Sequence, residues 1–132
     1  MTKAEQLLEV MNEGGYVKNF IDQYIETMLW ASTDEEGINL DKNYDSSDLA
    51  EETLKKIEKE CKEFIDKAEE LIDNEENGDY SLAGHDFFLT RNHHGAGFLD
   101  GDWEKGKELA QISHSFGESQ PYVGDDGQIY IM

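Results

Sequence analysis

Residues 48–71 read DLAEETLKKIEKECKEFIDKAEEL, and this stretch decides the fold. Ala50, Leu54, Ile57, Cys61, Phe64, Ala68 and Leu71 recur at alternating steps of four and three, which gathers them on one face of a helix. The other faces carry mixed charge, with Glu52 and Lys56, and Glu63 and Lys67, at the spacing where opposite charges support a helix. Asp48 followed three residues later by Glu51 reads as a capping box. The spacing predicts one helix of about 25 residues. Its apolar stripe spans about three heptads, enough for a seam between two copies and hence a homodimer. Burial against the rest of the same chain accounts for the stripe equally well and is the preferred reading.

Towards the N-terminus, Leu7, Leu8, Val10 and Met11 fit a short first helix stopped by Gly14-Gly15. Val17, Phe20, Ile21, Tyr24, Ile25, Met28 and Leu29 then repeat at helical spacing over about four turns and lead to Trp30. Residues 32–46 are rich in Asp, Glu, Asn and Gly, with Ile38, Leu40 and Tyr44 scattered among them, and read as an irregular acidic connection. Beyond residues 74–79 the runs shorten and glycine becomes frequent. Residues 87–90 read as a strand, Asn92-His93-His94-Gly95 as a turn, and residues 96–99 as the partner strand. Residues 103–116 suggest a helix ended by Gly117. Asp125-Asp126-Gly127 between two apolar runs marks a second hairpin, because Asp-Gly accepts the positive φ that tight turns require. The expected fold class is α+β: N-terminal helices, one of them long and amphipathic, followed by a ββαββ-like region. Residues 1–132 are expected to form a single domain, with an acidic helical part at 1–79 and a hairpin-helix-hairpin part at 80–132.

A chain of 132 residues suits one core, and its 37% hydrophobic content is periodic enough to exclude complete disorder. The formal net charge is −20. Residues 1–79 hold 23 acids against 8 bases, and residues 80–132 hold 8 against 3, so the charge is concentrated in the first half. Such a field keeps a protein soluble, opposes direct binding to nucleic acid, and attracts surfaces rich in Lys and Arg. Cys61 has no cysteine to pair with, which fits a reducing compartment. No signal peptide and no run of about 18 apolar residues is present, so no membrane association is expected.

The four histidines all lie in the second half, three of them within ten residues, beside Asp86, Arg91 and Asn92. His85, Asp86, His93 and His94 could ligate a divalent metal, and a hairpin followed by a helix is the type of scaffold on which ββα metal nucleases mount their ligands. A tight hairpin leaves little room for a metal loop, however, and the scarcity of basic residues opposes a polyanionic substrate. The preferred reading is structural: His85 and Asp86 make hydrogen bonds that organise the start of the strand, Arg91 forms a buried ion pair, and Asn92, Gly95 and Gly97 shape a turn. No cofactor is expected. Asp100-Gly101-Asp102 and Asp125-Asp126-Gly127 lack the spaced ligand series of a calcium loop. Ser113 and His114 are neighbours in a helix without an oxyanion motif and do not indicate a hydrolase.

The stretch AGHDFFLTRNHHGAGF at residues 83–98, with YVGDDGQIY at 122–130, resembles a family of small bacteriophage-encoded proteins. His94 stands where the family's His-Gly-Ala-Gly-Phe element places its histidine, and Phe88 where a tryptophan is more usual. Residues 1–79 lie outside the resemblance. It implies phage origin and residence in a bacterial host's cytoplasm, and it transfers no activity. Small acidic phage proteins often occupy the nucleic-acid groove of a host defence enzyme. A non-enzymatic inhibitor of anti-CRISPR or anti-restriction type is therefore expected, its partner a basic, nucleic-acid-processing protein. Asp34, Glu35, Glu36, Asp41, Asp45 and Asp48 are the expected contact residues. A metal-dependent enzyme and an assembly module are the alternatives.

Overall fold

The computed structural model describes residues 15–76 and 78–132. The short helix expected around Leu7 to Met11 lies outside the described residues. Among the described residues four α-helices follow in order: α1 (Gly15–Ala31), α2 (Glu51–Asp73), α3 (Tyr80–Arg91) and α4 (Gly106–Ser115). A two-stranded antiparallel sheet closes the chain, β1 (Pro121–Val123) pairing with β2 (Ile129–Ile131). The α+β class and the N-terminal helices are as expected.

The apolar stripe of α2 is buried within its own chain: Leu54, Ile57, Cys61, Phe64 and Ala68 are each at most 4% exposed. Phe64 sits at the centre, stacked on Phe87 at 4.2 Å and on Phe20 at 5.5 Å, with Phe98 at 5.9 Å. The stripe therefore packs against α1, α3 and the turn around Phe98 of its own chain. The helix begins one feature later than the capping pattern suggests. Asp48 turns back to accept from the Asp45 N–H, Asp45 accepts from Ser47, and the two cap a short 3-10 turn at Ser46–Asp48. The α2 start is held instead by β2: the Ala50 N–H and the Thr53 hydroxyl both donate to the Ile129 carbonyl.

The first expected hairpin is absent. Residues 87–90 belong to α3, and the segment expected as partner strand is a 3-10 turn at Gly97–Leu99. Asp79 caps α3, accepting from the N–H groups of Ser81 and Leu82. The physical reason for the misreading is burial on several sides. Ala83, Gly84, Asp86, Phe87, Phe88, Thr90 and Arg91 are all buried, so no polar face interrupts the apolar run. A short run of that kind looks the same in a buried strand and a buried helix. Gly84 allows the close approach of α1, since a Cβ there would meet the Phe20 carbonyl oxygen at 2.2 Å. The Asn92-to-Gly95 turn does form, with His93 at φ 57° and Gly95 at φ 94°. The C-terminal hairpin is as read, Gly127 taking φ 78° in its turn, and Gly117 ends α4 at φ 74°.

Arg91 is 1% exposed and ties these pieces together. Its Nε donates to the Gly117 carbonyl at 2.8 Å, and its two terminal nitrogens donate to the Tyr24 hydroxyl, to both Glu60 carboxylate oxygens, and to the Phe116 carbonyl. Every N–H donor of the guanidinium has a partner. Burial works against the charge, but Tyr24 and Glu60 more than offset it and raise the Arg91 pKa above its ordinary value.

Arg91→Ala is expected to destabilise the fold by about 3–5 kcal/mol, because it strands Glu60, Tyr24 and the end of α4 without their donor. Gly84→Ala is expected to cost about 1–3 kcal/mol through the clash with the α1 backbone. Urea unfolding of each variant against the parent chain checks both values.

Candidate functional site

The structure sends the residues of the histidine cluster in different directions. Asp86 is buried and accepts from the Trp103 indole N–H at 2.7 Å. His85 pairs its Nδ1 with the Thr27 hydroxyl at 2.8 Å, and its ring lies 6.1 Å from that of Trp30. His93, beyond the end of α3, stacks on His114 at 5.0 Å. His94 lies 6.2 Å from the Phe88 ring and places its Nε2 3.4 Å from the Gln120 amide. Among the described residues, no three His, Cys, Asp or Glu side chains converge as a group able to hold a metal ion. The metal set His85, Asp86, His93 and His94 is thus not assembled, because each side chain is drawn to a partner on a different element.

The buried polar residues of the same segment serve the fold. Thr90 accepts from the Phe98 N–H, and the Asn92 amide donates to Phe88 and accepts from the Ser119 N–H. Gly97, at φ 51°, lies so close to Thr90 that a Cβ would stand 2.1 Å from its hydroxyl oxygen. The expected ion pair of Arg91 and the turn at Asn92 are present, but Asp86 organises no strand: it sits on a helix and holds Trp103, 17 residues away. Burial raises the Asp86 pKa, partly countered by the Trp103 hydrogen bond.

The acidic connection is ordered by its own carboxylates. Asp34 accepts from the N–H groups of Glu36 and Ile38, closing a turn that Gly37 completes at φ 81°. Leu40 plugs the core at 1% exposure and bonds back to the Ser32 carbonyl. Of the six expected contact residues, Asp34, Asp45 and Asp48 shape the loop, and Glu35, Glu36, Asp41 and Asp45 are exposed. Two adjoining grooves receive them. One, of about 490 Å³, is lined by Asp41 and Asp45 together with Asp22 and Glu26 of α1. The other, of about 650 Å³, lies between Asp34, Glu35 and Glu36 and the strand β1, with Asp125 at its far end. Tyr44 lines both grooves. Asp48 lines neither of the two.

Asp22, Glu26, Tyr44, Tyr122 and Asp125 were not singled out from the sequence. Asp125 reads as turn chemistry and Tyr44 as an isolated apolar residue, and only the folding of β1 beside the acidic loop brings them to one surface. Tyr122 is 45% exposed and stacks on Tyr130 at 5.8 Å. Tyr130 in turn donates to Asp126 at 2.6 Å, which pushes the phenol up to about 12 and holds the carboxyl below its ordinary range.

No family model, no curated protein and no solved structure matches this chain. Among the described residues, no helix is long and apolar enough to cross a membrane.

The raised Asp86 pKa has a definite sign in stability. The unfolded carboxyl loses its proton near the ordinary value of 3.8 and the folded one at a higher pH, so rising pH between the two weakens the fold. Asp86→Asn keeps an acceptor for Trp103 without the charge. Relative to the parent chain, its stability is expected to improve as pH rises through that window and then level off, as read by urea unfolding between about pH 3.5 and 7.

Proposed function

We propose that this chain is a phage-encoded acidic inhibitor of a bacterial defence enzyme, a CRISPR effector or restriction-type nuclease, and that it occupies the enzyme's basic nucleic-acid groove. The observation that carries the reading is the acidic face itself. Asp34, Glu35, Glu36, Asp41 and Asp45 are joined by Asp22, Glu26 and Asp125 around two grooves that meet at Tyr44. On a chain of net charge −20, such a face presents spaced negative charge with an aromatic at its centre. This complements a groove that binds a phosphate backbone through Lys and Arg. The resemblance of residues 83–98 and 122–130 to phage proteins supports the origin, and residence in the host cytoplasm follows from it.

The metal-enzyme alternative lacks a shared centre for His85, Asp86, His93 and His94, and the assembly alternative lacks an open stripe on α2.

The tagged chain, passed through a lysate of its bacterial host at about 0.1 M salt, is expected to retain a DNA- or RNA-processing enzyme. That enzyme should elute with rising salt or with added duplex DNA. Combining Glu35→Gln, Glu36→Gln and Asp41→Asn should weaken retention about tenfold, since exposed charges act mainly through the field they add to the interface. Retention that is indifferent to both salt and DNA would sink the reading.

A further inference from the structure

Among the described residues, the two-stranded sheet has one covered edge and one open edge. In an antiparallel pair, residues alternate between those that exchange both backbone hydrogen bonds and those whose N–H and C=O point outward. The Gly124 N–H donates to Gln128, and the Met132 N–H to Gln120, which assigns positions 120, 122 and 124 to the bonds inside the sheet. Val123 and its opposite residue Ile129 are therefore an outward-pointing pair. Ile129 confirms the assignment, because its carbonyl is taken on the far side by Ala50 and Thr53 of the α2 start. On the near side, the Val123 N–H and C=O point away from β2 along the free edge of β1, with the Pro121 carbonyl beside them.

That edge borders the larger acidic groove, whose lining runs along Pro121, Tyr122 and Val123 on one side and Asp34, Glu35 and Glu36 on the other. An unpaired strand edge is a template for another strand. Two copies of this chain meeting edge to edge would bring Glu35, Glu36 and Asp125 against their own duplicates, so the charge selects a cationic occupant.

We propose that the open edge of β1 is a docking site for an extended peptide segment bearing lysine or arginine. The segment adds to the sheet as a third strand, with its backbone on Val123 and its cations facing Asp34, Glu35, Glu36 and Asp125. This rests on the inhibitor reading above and specifies how the partner is held: a basic loop or tail of the target enzyme pairs with β1. A residue placed opposite Val123 makes two backbone hydrogen bonds, and the acids supply selectivity. Pro121, which has no N–H to offer, limits the register to a short pairing centred on Val123.

The test uses the full chain and a capped nonapeptide alternating lysine and valine. A twin of equal charge, with every backbone nitrogen methylated, serves as the comparison. The peptide is expected to slow hydrogen exchange at the Val123 amide at least about tenfold, and the methylated twin to bind about tenfold more weakly, the loss of roughly two backbone hydrogen bonds. Val123→Pro removes the outward N–H without touching a bond to β2 and should weaken the unmodified peptide to a similar degree. Equal binding of the two peptides, or binding that leaves Val123 exchange unchanged, overturns the proposal whether or not the proline variant folds. The two readings fail separately. If Val123→Pro retains the host enzyme as well as the parent chain does, strand addition is wrong and the inhibitor stands. If the parent chain retains no such enzyme while the peptide protects Val123, the inhibitor is wrong and the docking edge stands.

Discussion

The buried guanidinium of Arg91 is the constraint on which the other parts of the molecule depend. It lies at the last residue of α3 and reaches Tyr24 on α1, Glu60 on α2 and the two carbonyls that follow α4. Four helices are thereby fixed relative to one charged group. A charge buried without partners would cost more than the whole stability of a small domain, so the elements around it have little freedom to shift separately. The ring of Phe87 at 5.2 Å and that of Phe116 at 5.8 Å close the cage around it with aromatic faces.

This arrangement changes how the motif around residues 83–98 is understood. Gly84, Asp86, Thr90, Arg91, Asn92 and Gly97 all have tasks inside the fold: close helix contact, an indole hydrogen bond, an acceptor for Phe98, the charge network, an acceptor for Ser119 and a tight turn at positive φ. A dense run of His, Asp, Arg and Asn has the look of catalytic chemistry in a sequence. Here the polar atoms of Asp86, Thr90, Arg91 and Asn92 are occupied by the backbone and side chains they organise. The two acidic grooves lie elsewhere, on the acidic loop and the C-terminal hairpin.

The two regions are also joined mechanically. The Ile129 carbonyl receives both Ala50 and Thr53, so β2 is fastened to the start of α2 at the point where the acidic loop ends. Loop and sheet therefore meet at one corner, where Asp34, Glu35 and Glu36 line one groove together with β1. Asp34, Asp45 and Asp48 shape this corner through hydrogen bonds to backbone N–H groups, which leaves the exposed Glu35, Glu36 and Asp41 as the charges presented most freely to a partner.

By itself the sequence determined the helices α1 and α2, the end of α4 and the last hairpin. In each case the signal is local: an amphipathic period, a glycine at positive φ, or an Asp-Gly turn. It also determined the net charge and its bias towards the first half, and it placed the acidic stretch of residues 32–46 between two clear helices, where its carboxylates stay near solvent. Only the tertiary structure decided that residues 80–91 form a helix, since burial on several sides erased the period that would have marked it. Only the tertiary structure separated His85, Asp86, His93 and His94 and brought Asp125, Tyr44 and the open edge of β1 to the acidic loop. Proximity in sequence says which residues share a segment. Which of them share a space is set by long-range contacts such as Arg91 with Glu60 and Ile129 with Ala50, and these leave no periodic trace in the chain.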